Sequence, residues 1–256
     1  LSDNWRLRNK NSIDLDEVNK FTFKMAGDNE ITCLDCPVLS DEEKEEYERG
    51  NNREGVIDGY AFESKKDGFS KTYNLEDFSS IDISNSFYVT VRQGSKYSVE
   101  VIAESESDLD DVEVELSGNT LNVEFEDIFI SNRDKVYIYI TMPTLKNFDM
   151  SGAVQAKIID FENLSKFSVS MSGASKAAID VEADNVDVDA SGACRLDIRG
   201  RANRVKFDVN GASRIDAKKM RIKRADAEAG GASRISFGRV EDLNSDTSGA
   251  SKITRQ

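Results

Sequence analysis

Ser172-Gly-Ala-Ser-Lys176, Ser191-Gly-Ala-Cys-Arg195, Asn210-Gly-Ala-Ser-Arg214, Gly230-Gly-Ala-Ser-Arg234 and Ser248-Gly-Ala-Ser-Lys252 are five copies of one pentapeptide, and Ser151-Gly-Ala-Val-Gln155 is a sixth. Their glycines, Gly152, Gly173, Gly192, Gly211, Gly231 and Gly249, follow one another at intervals of 21, 19, 19, 20 and 18 residues. Recurrence at this period marks a stack of small units, none of which can bury its apolar face alone.

The flanking residues say what each unit is. Four residues before the glycine stand Phe148, Val169, Val188, Phe207, Ala227 and Ser245; two before it stand Met150, Met171, Ala190, Val209, Ala229 and Thr247. Between them lie Asp149, Ser170, Asp189, Asp208, Glu228 and Asp246. This is period-two alternation, the signature of a half-buried strand. Three residues past the glycine a polar or basic side chain returns, as Gln155, Lys176, Arg195, Arg214, Arg234 and Lys252. One further on the chain is apolar again, from Ala156 and Ala177 to Leu196, Ile215, Ile235 and Ile253. Gly-Ala-Ser therefore reads as a corner between two strands, with glycine for unusual backbone angles or close approach and alanine filling a space too narrow for more.

Stacked coils of this kind make an all-β, single-stranded right-handed β-helix with coils of 18–21 residues. Val188, Leu196, Val205, Phe207, Ile215 and Ile235 are expected inside it. Leucine-rich and hexapeptide solenoids do not fit, since the leucine-asparagine consensus and the six-residue period are both missing. The chain divides into residues 1–70, a cap or tether, and residues 71–256, the solenoid. Upstream strands are expected at Leu121–Phe125 and Val136–Ile140, and in Phe87–Val101, where two strands flank a glycine turn. Ser84-Asn85-Ser86 and Ser117-Gly118-Asn119 suggest irregular early coils. Near the N-terminus, Ser40-Asp-Glu-Glu43 is a capping box for one or two helical turns at Glu42–Glu48, and Asn51–Gly55 is a loop.

Composition narrows the function. The net charge of −14 repels nucleic acid and anionic lipid. There is no histidine, which removes the commonest general base and zinc ligand. Cys33 and Cys36 have redox or half-zinc spacing without a second pair, and read more simply as loop thiols open to a small-loop disulfide after export; Cys194 is a small filler in a serine position. No apolar run reaches the ~18 residues of a membrane span, so no direct membrane insertion of this segment is expected. A removed export signal or anchor fits a chain beginning at Leu1.

The stretch from Phe78 to Ile253 resembles the putative auto-transporter adhesin, head GIN domain family of bacterial envelope proteins. The resemblance rests on Phe78-Ser-Ser-Ile-Asp-Ile-Ser84, a Val89-Thr-Val91 and Gln93-Gly94 hairpin, Ile140-Thr-Met-Pro143-Thr-Leu and the serial Ser-Gly-Ala corners. It implies a β-helix located in the periplasm or on the outer cell surface, with no assigned activity.

Two columns are candidate binding sites. Asp189 and Asp208 should be neighbours on successive coils, as in the carboxylate pairs of β-helical pectinases. Lys176, Arg195, Arg214, Arg234 and Lys252 should form a basic stripe suited to an anionic glycan. Acid and base would flank each corner as two ladders. Because the acids recur at nearly every coil and no aromatic sugar platform accompanies them, the expected function is non-catalytic. It is a surface adhesin or glycan-binding module, with an extracellular glycan or envelope protein as partner. A polysaccharide-degrading enzyme and a structural or signalling envelope element are the alternatives. No cofactor, metal or catalytic residue is expected. The last corner is followed by only four residues, so a monomer with a frayed or weakly self-associating final coil is anticipated.

Overall fold

The computed structural model describes residues 68–126 and 133–256 in full and, of residues 1–67, the backbone of five short strands. These are β1 (Trp5–Arg8), β2 (Phe21–Lys24), β3 (Glu30–Cys33), β4 (Val56–Ile57) and β5 (Tyr60–Ala61). β3 pairs antiparallel with both β1 and β2, and β4 with β5. The chain divides into two compact units, Leu1–Gly55 and Val56–Gln256. The helical turns expected at Glu42–Glu48, the loop at Asn51–Gly55, and Cys36 with its proposed bond to Cys33 lie outside the described residues.

The second unit continues with β6 (Phe69–Tyr73), β7 (Ser80–Ile83), β8 (Tyr88–Gln93), β9 (Ser98–Ala103) and a short helix, α1 (Glu106–Asp110). Then come β10 (Val112–Ser117), β11 (Thr120–Phe125), β12 (Val136–Met142), β13 (Asn147–Met150), β14 (Gln155–Met171), β15 (Lys176–Ala190) and β16 (Arg195–Val209). β17 (Arg214–Ala229), β18 (Arg234–Phe237), β19 (Val240–Thr247) and β20 (Lys252–Arg255) complete it. Each of β14 to β17 would be about 50 Å long if straight. Instead each bends round most of one coil, with register shifts at Ile158/Phe161 and Asp197/Arg199 marking bends. The result is a β-solenoid of about five turns, pairing parallel from β13 through β20.

Register follows from the alternation. A slip of one residue would turn every apolar side chain outward, so the interior columns lock the coils together. One column runs Ile81, Phe148, Val169, Val188, Phe207, Ala227, Ser245 in hydrogen-bonded register. Phe148 and Phe207 are fully buried, and Phe207 stacks on Phe237 across the interior with centroids 5.5 Å apart. All six residues expected inside are buried: Val188, Leu196, Val205, Phe207, Ile215 and Ile235.

The early region departs from the sequence reading. β8 and β9 are not hairpin partners: β12 lies between them, parallel to β8 and antiparallel to β9. The four-residue link Gly94–Tyr97 is long enough to cross the two strand spacings, about 10 Å, that this insertion requires. Ser117-Gly118-Asn119 is part of a true hairpin instead, joining β10 to β11 through Gly118 at φ +62°. Helix α1 was not foreseen, although its signal is legible: Ser105 caps it by accepting a hydrogen bond from the Asp108 backbone N–H at 3.2 Å.

Candidate functional site

Each corner is built from a column of glycines. Gly152, Gly173, Gly192, Gly211, Gly231 and Gly249 all adopt φ between +68° and +85°. Each carbonyl from Gly152 to Gly231 accepts the N–H of the alanine one coil on, at 2.7–2.8 Å. A Cβ on any of the last five would stand 2.4–2.7 Å from the carbonyl oxygen of the glycine below. Asn85 takes the glycine's place in the first coil at φ +69°, where its carbonyl accepts the N–H of Ala153. The corner alanines, expected to fill a narrow space, are exposed instead. The tight position is the next one, where Ser175, Cys194, Ser213 and Ser233 are buried. Their side chains turn back on the corner: Ser175 Oγ donates to the Ser172 carbonyl at 3.0 Å, and Cys194 Sγ sits 3.1 Å from that of Ser191. Cys194 is thus a thiol in a serine ladder, with burial pushing its pKa up.

The rigid corner separates two polar faces. On one, Lys176, Arg195, Arg214, Arg234 and Lys252 pair in direct register on consecutive coils, all exposed. On the other, the acidic column runs Asp82, Asp149, Ser170, Asp189, Asp208, Glu228, Asp246. Asp82 had escaped the sequence reading because it lies outside the repeats; only the strand pairing brings it beside Asp149. Asp82, Asp149, Asp189 and Asp208 line a shallow groove together with the corner residues Ser172 and Asn210, whose Nδ2 donates to Asp208 Oδ1 at 2.7 Å.

The two ladders do not neutralise each other. Partial desolvation, then the neighbouring Asp208 carboxylate, raise the pKa of Asp189, and among nearby cations it is Lys206 that opposes the rise. Desolvation followed by Asp149 and Glu124 raises Asp82 in the same way. On the basic side, Arg195 meets Asp197 at 3.7 Å. Charges one strand spacing apart repel by roughly 1 kcal/mol per neighbour pair in water. Elsewhere some rungs pair opposite charges, although Arg199 and Lys219, Arg201 and Arg221, and Arg204 and Arg224 also stand like on like in register. Asp180 meets Arg199 at 2.9 Å, Glu182 meets Arg201 at 2.7 Å, and Arg224 meets Asp242 at 3.2 Å. Opposite charges 18 or 19 residues apart are only candidates for such pairs, and the approach of the side chains decides that these three meet. The basic column keeps one sign through five coils.

Among the described residues, no group of three or more Asp, Glu, Cys or His converges to hold a metal ion, and no helix is long and apolar enough to cross a membrane.

Residues 77–255 match the model of a family described as putative auto-transporter adhesin, head GIN domain. Among solved structures the chain is similar to a putative adhesin from Bacteroides fragilis, with a TM-score of 0.67 at 17% identity, over 75% of this chain and 98% of that one. A protein named as a putative lipid binding protein, from Parabacteroides distasonis, aligns with a TM-score of 0.55 at 16% identity, over 73% and 96% of the two chains. A putative adhesin from Parabacteroides merdae aligns at 0.54 and 13% identity, over 73% and 95%. At these identities the likeness to solved structures concerns the fold. No curated protein matches the chain.

Proposed function

Because this chain belongs to the putative auto-transporter adhesin, head GIN domain family, we propose that its solenoid is a non-catalytic recognition module of the cell envelope, acting in the periplasm or on the outer surface. One observation carries the reading: along both charged faces the same residue class returns on successive coils, interrupted only by Ser170 in the acidic column. A catalytic centre needs a local constellation unlike its surroundings, because transition-state stabilisation depends on uniquely placed groups. A recognition surface gains from repetition, since each coil adds another equivalent contact.

The acidic column is the strongest point for the enzymatic alternative, with Asp189 and Asp208 adjacent and the Asp189 pKa raised. Its recurrence at Asp149, Glu228 and Asp246 makes the pair one rung of a ladder rather than a singular dyad. The name of the Parabacteroides distasonis neighbour raises lipid binding. Among the described residues, though, the exposed large hydrophobics are Phe69 and Leu116, which belong to separate strands and offer no apolar platform.

The test is a polysaccharide array, neutral and anionic, probed with the full chain, together with an assay for new reducing ends on the same polymers. The expected result is binding without product. Product that vanished in Asp189→Asn or Asp208→Asn would overturn the reading in favour of glycan cleavage. Failure to bind any polymer or any cell surface would remove the recognition role.

A further inference from the structure

Charge is unequally divided about the glycine corner. Residues 176–180, 195–199, 214–219, 234–237 and 252–255, which follow the corners, carry nine Lys or Arg against three Asp. The segments that precede the corners, 166–171, 185–190, 204–209, 224–229 and 242–247, carry four against seven. One face therefore has six excess positive charges on a chain whose net charge is −14. Its three carboxylates are already engaged within the face. Asp180 is held by Arg199, Asp197 by Arg195, and Asp216 by Lys218 at 3.4 Å. Lys176, Arg214, Arg234 and Lys252 form no ion pair among the described residues, and they are exposed in one straight register.

We infer that the column Lys176–Arg195–Arg214–Arg234–Lys252 is a binding stripe for an anionic polysaccharide lying along the solenoid axis. The inference rests on the recognition reading above and names its ligand class. Five cations at one strand spacing span about 19 Å. A small anion would meet one or two of them; a polymer with a carboxylate or sulfate on successive sugars meets the whole row, each contact making the next effectively intramolecular. Three of the five rungs are arginine, whose planar fork grips carboxylate or sulfate through two parallel hydrogen bonds. A basic stripe on a chain of net charge −14 suits a slender polymer better than a duplex or a membrane, which would bring far more negative charge against the rest of this protein. Like charges stacked on successive coils also repel one another along this face, and a polyanion relieves that repulsion on binding.

The test uses the full chain with two probes, a sulfated glycosaminoglycan and polygalacturonate, titrated over a range of salt. Binding should weaken linearly on a log–log plot as counterions are released. Arg195→Gln/Arg214→Gln/Arg234→Gln should lose about tenfold or more in affinity and flatten the salt slope by about two to three. The control Arg201→Gln/Arg221→Gln/Lys223→Gln carries the same net charge with its changes on another edge of the coil, and should bind as the parent does. Circular dichroism verifies that both variants keep the fold. Equal losses in the two variants, or no loss in the first, would sink the stripe while leaving a binding module with its site elsewhere. Absence of binding by the parent to any array polymer would instead remove the recognition reading itself. Tighter binding to a single-stranded oligonucleotide of equal charge, or to phosphatidylserine vesicles, would overturn the polysaccharide assignment.

Discussion

Gly192→Ala tests how the corner works. Two penalties are expected. At φ +85° an L-residue is strained, at about 1–2 kcal/mol. The new Cβ would also lie 2.5 Å from the carbonyl oxygen of Gly173, well inside contact distance. That oxygen cannot simply retreat, because it accepts the N–H of Ala193 at 2.8 Å. Shifting it weakens a bond of about 0.5–1.5 kcal/mol and disturbs the rung above, where Gly211 rests on Gly192 in the same way. The sum is about 1.5–3.5 kcal/mol. Gly118→Ala supplies the internal control: φ is +62° there, but nothing lies within 4 Å of the added Cβ, so only the conformational penalty of about 1–2 kcal/mol applies. Urea unfolding of parent and both variants, followed by circular dichroism, reads the difference. Gly192→Ala should cost clearly more than Gly118→Ala. Equal costs would refute the argument that glycine is required by the coil beneath it rather than by its backbone angle.

Ile215, fully buried between Leu196 and Ile235 in adjacent coils, should cost about 2–5 kcal/mol as Ile215→Ala, read by the same unfolding assay; a near-neutral result would mean the coils repack freely. Asp189→Asn should stabilise the protein at neutral pH, by removing a carboxylate whose pKa the fold raises. The sign follows from linkage: a raised folded pKa favours the protonated form, so this contribution is fully present below the unfolded value near 3.8 and is lost as pH rises through the folded pKa. The advantage of Asp189→Asn in melting temperature should therefore shrink as pH falls toward 3.8, and an advantage independent of pH would show that charge is not its cause.

The β-helix was legible because its signals are local and repeated. Alternation around each corner places Val188, Phe207 and Ile215 inside whatever surrounds them, and six corners at one period imply stacking. The early strands were not legible in the same way. Nothing in Tyr88–Ala103 indicates that β12, more than thirty residues later, enters between β8 and β9, since pairing in a non-repeating region depends on distant partners. Asp82 joined the acidic ladder for the same reason. The corner itself was half read. Glycine has both the positive φ and the close approach expected of it, but the crowded neighbour is serine or cysteine rather than alanine.

By itself the sequence determined the period, the inward and outward identity of each repeat residue, and the like-on-like stacking of the basic column, because each depends only on alternation and spacing. Tertiary structure alone decided which charges cancel. Arg199 and Arg201 face carboxylates one coil away, whereas Arg214 and Arg234 face only other cations, and ion pairing depends on the angstrom-scale approach of side chains from different coils.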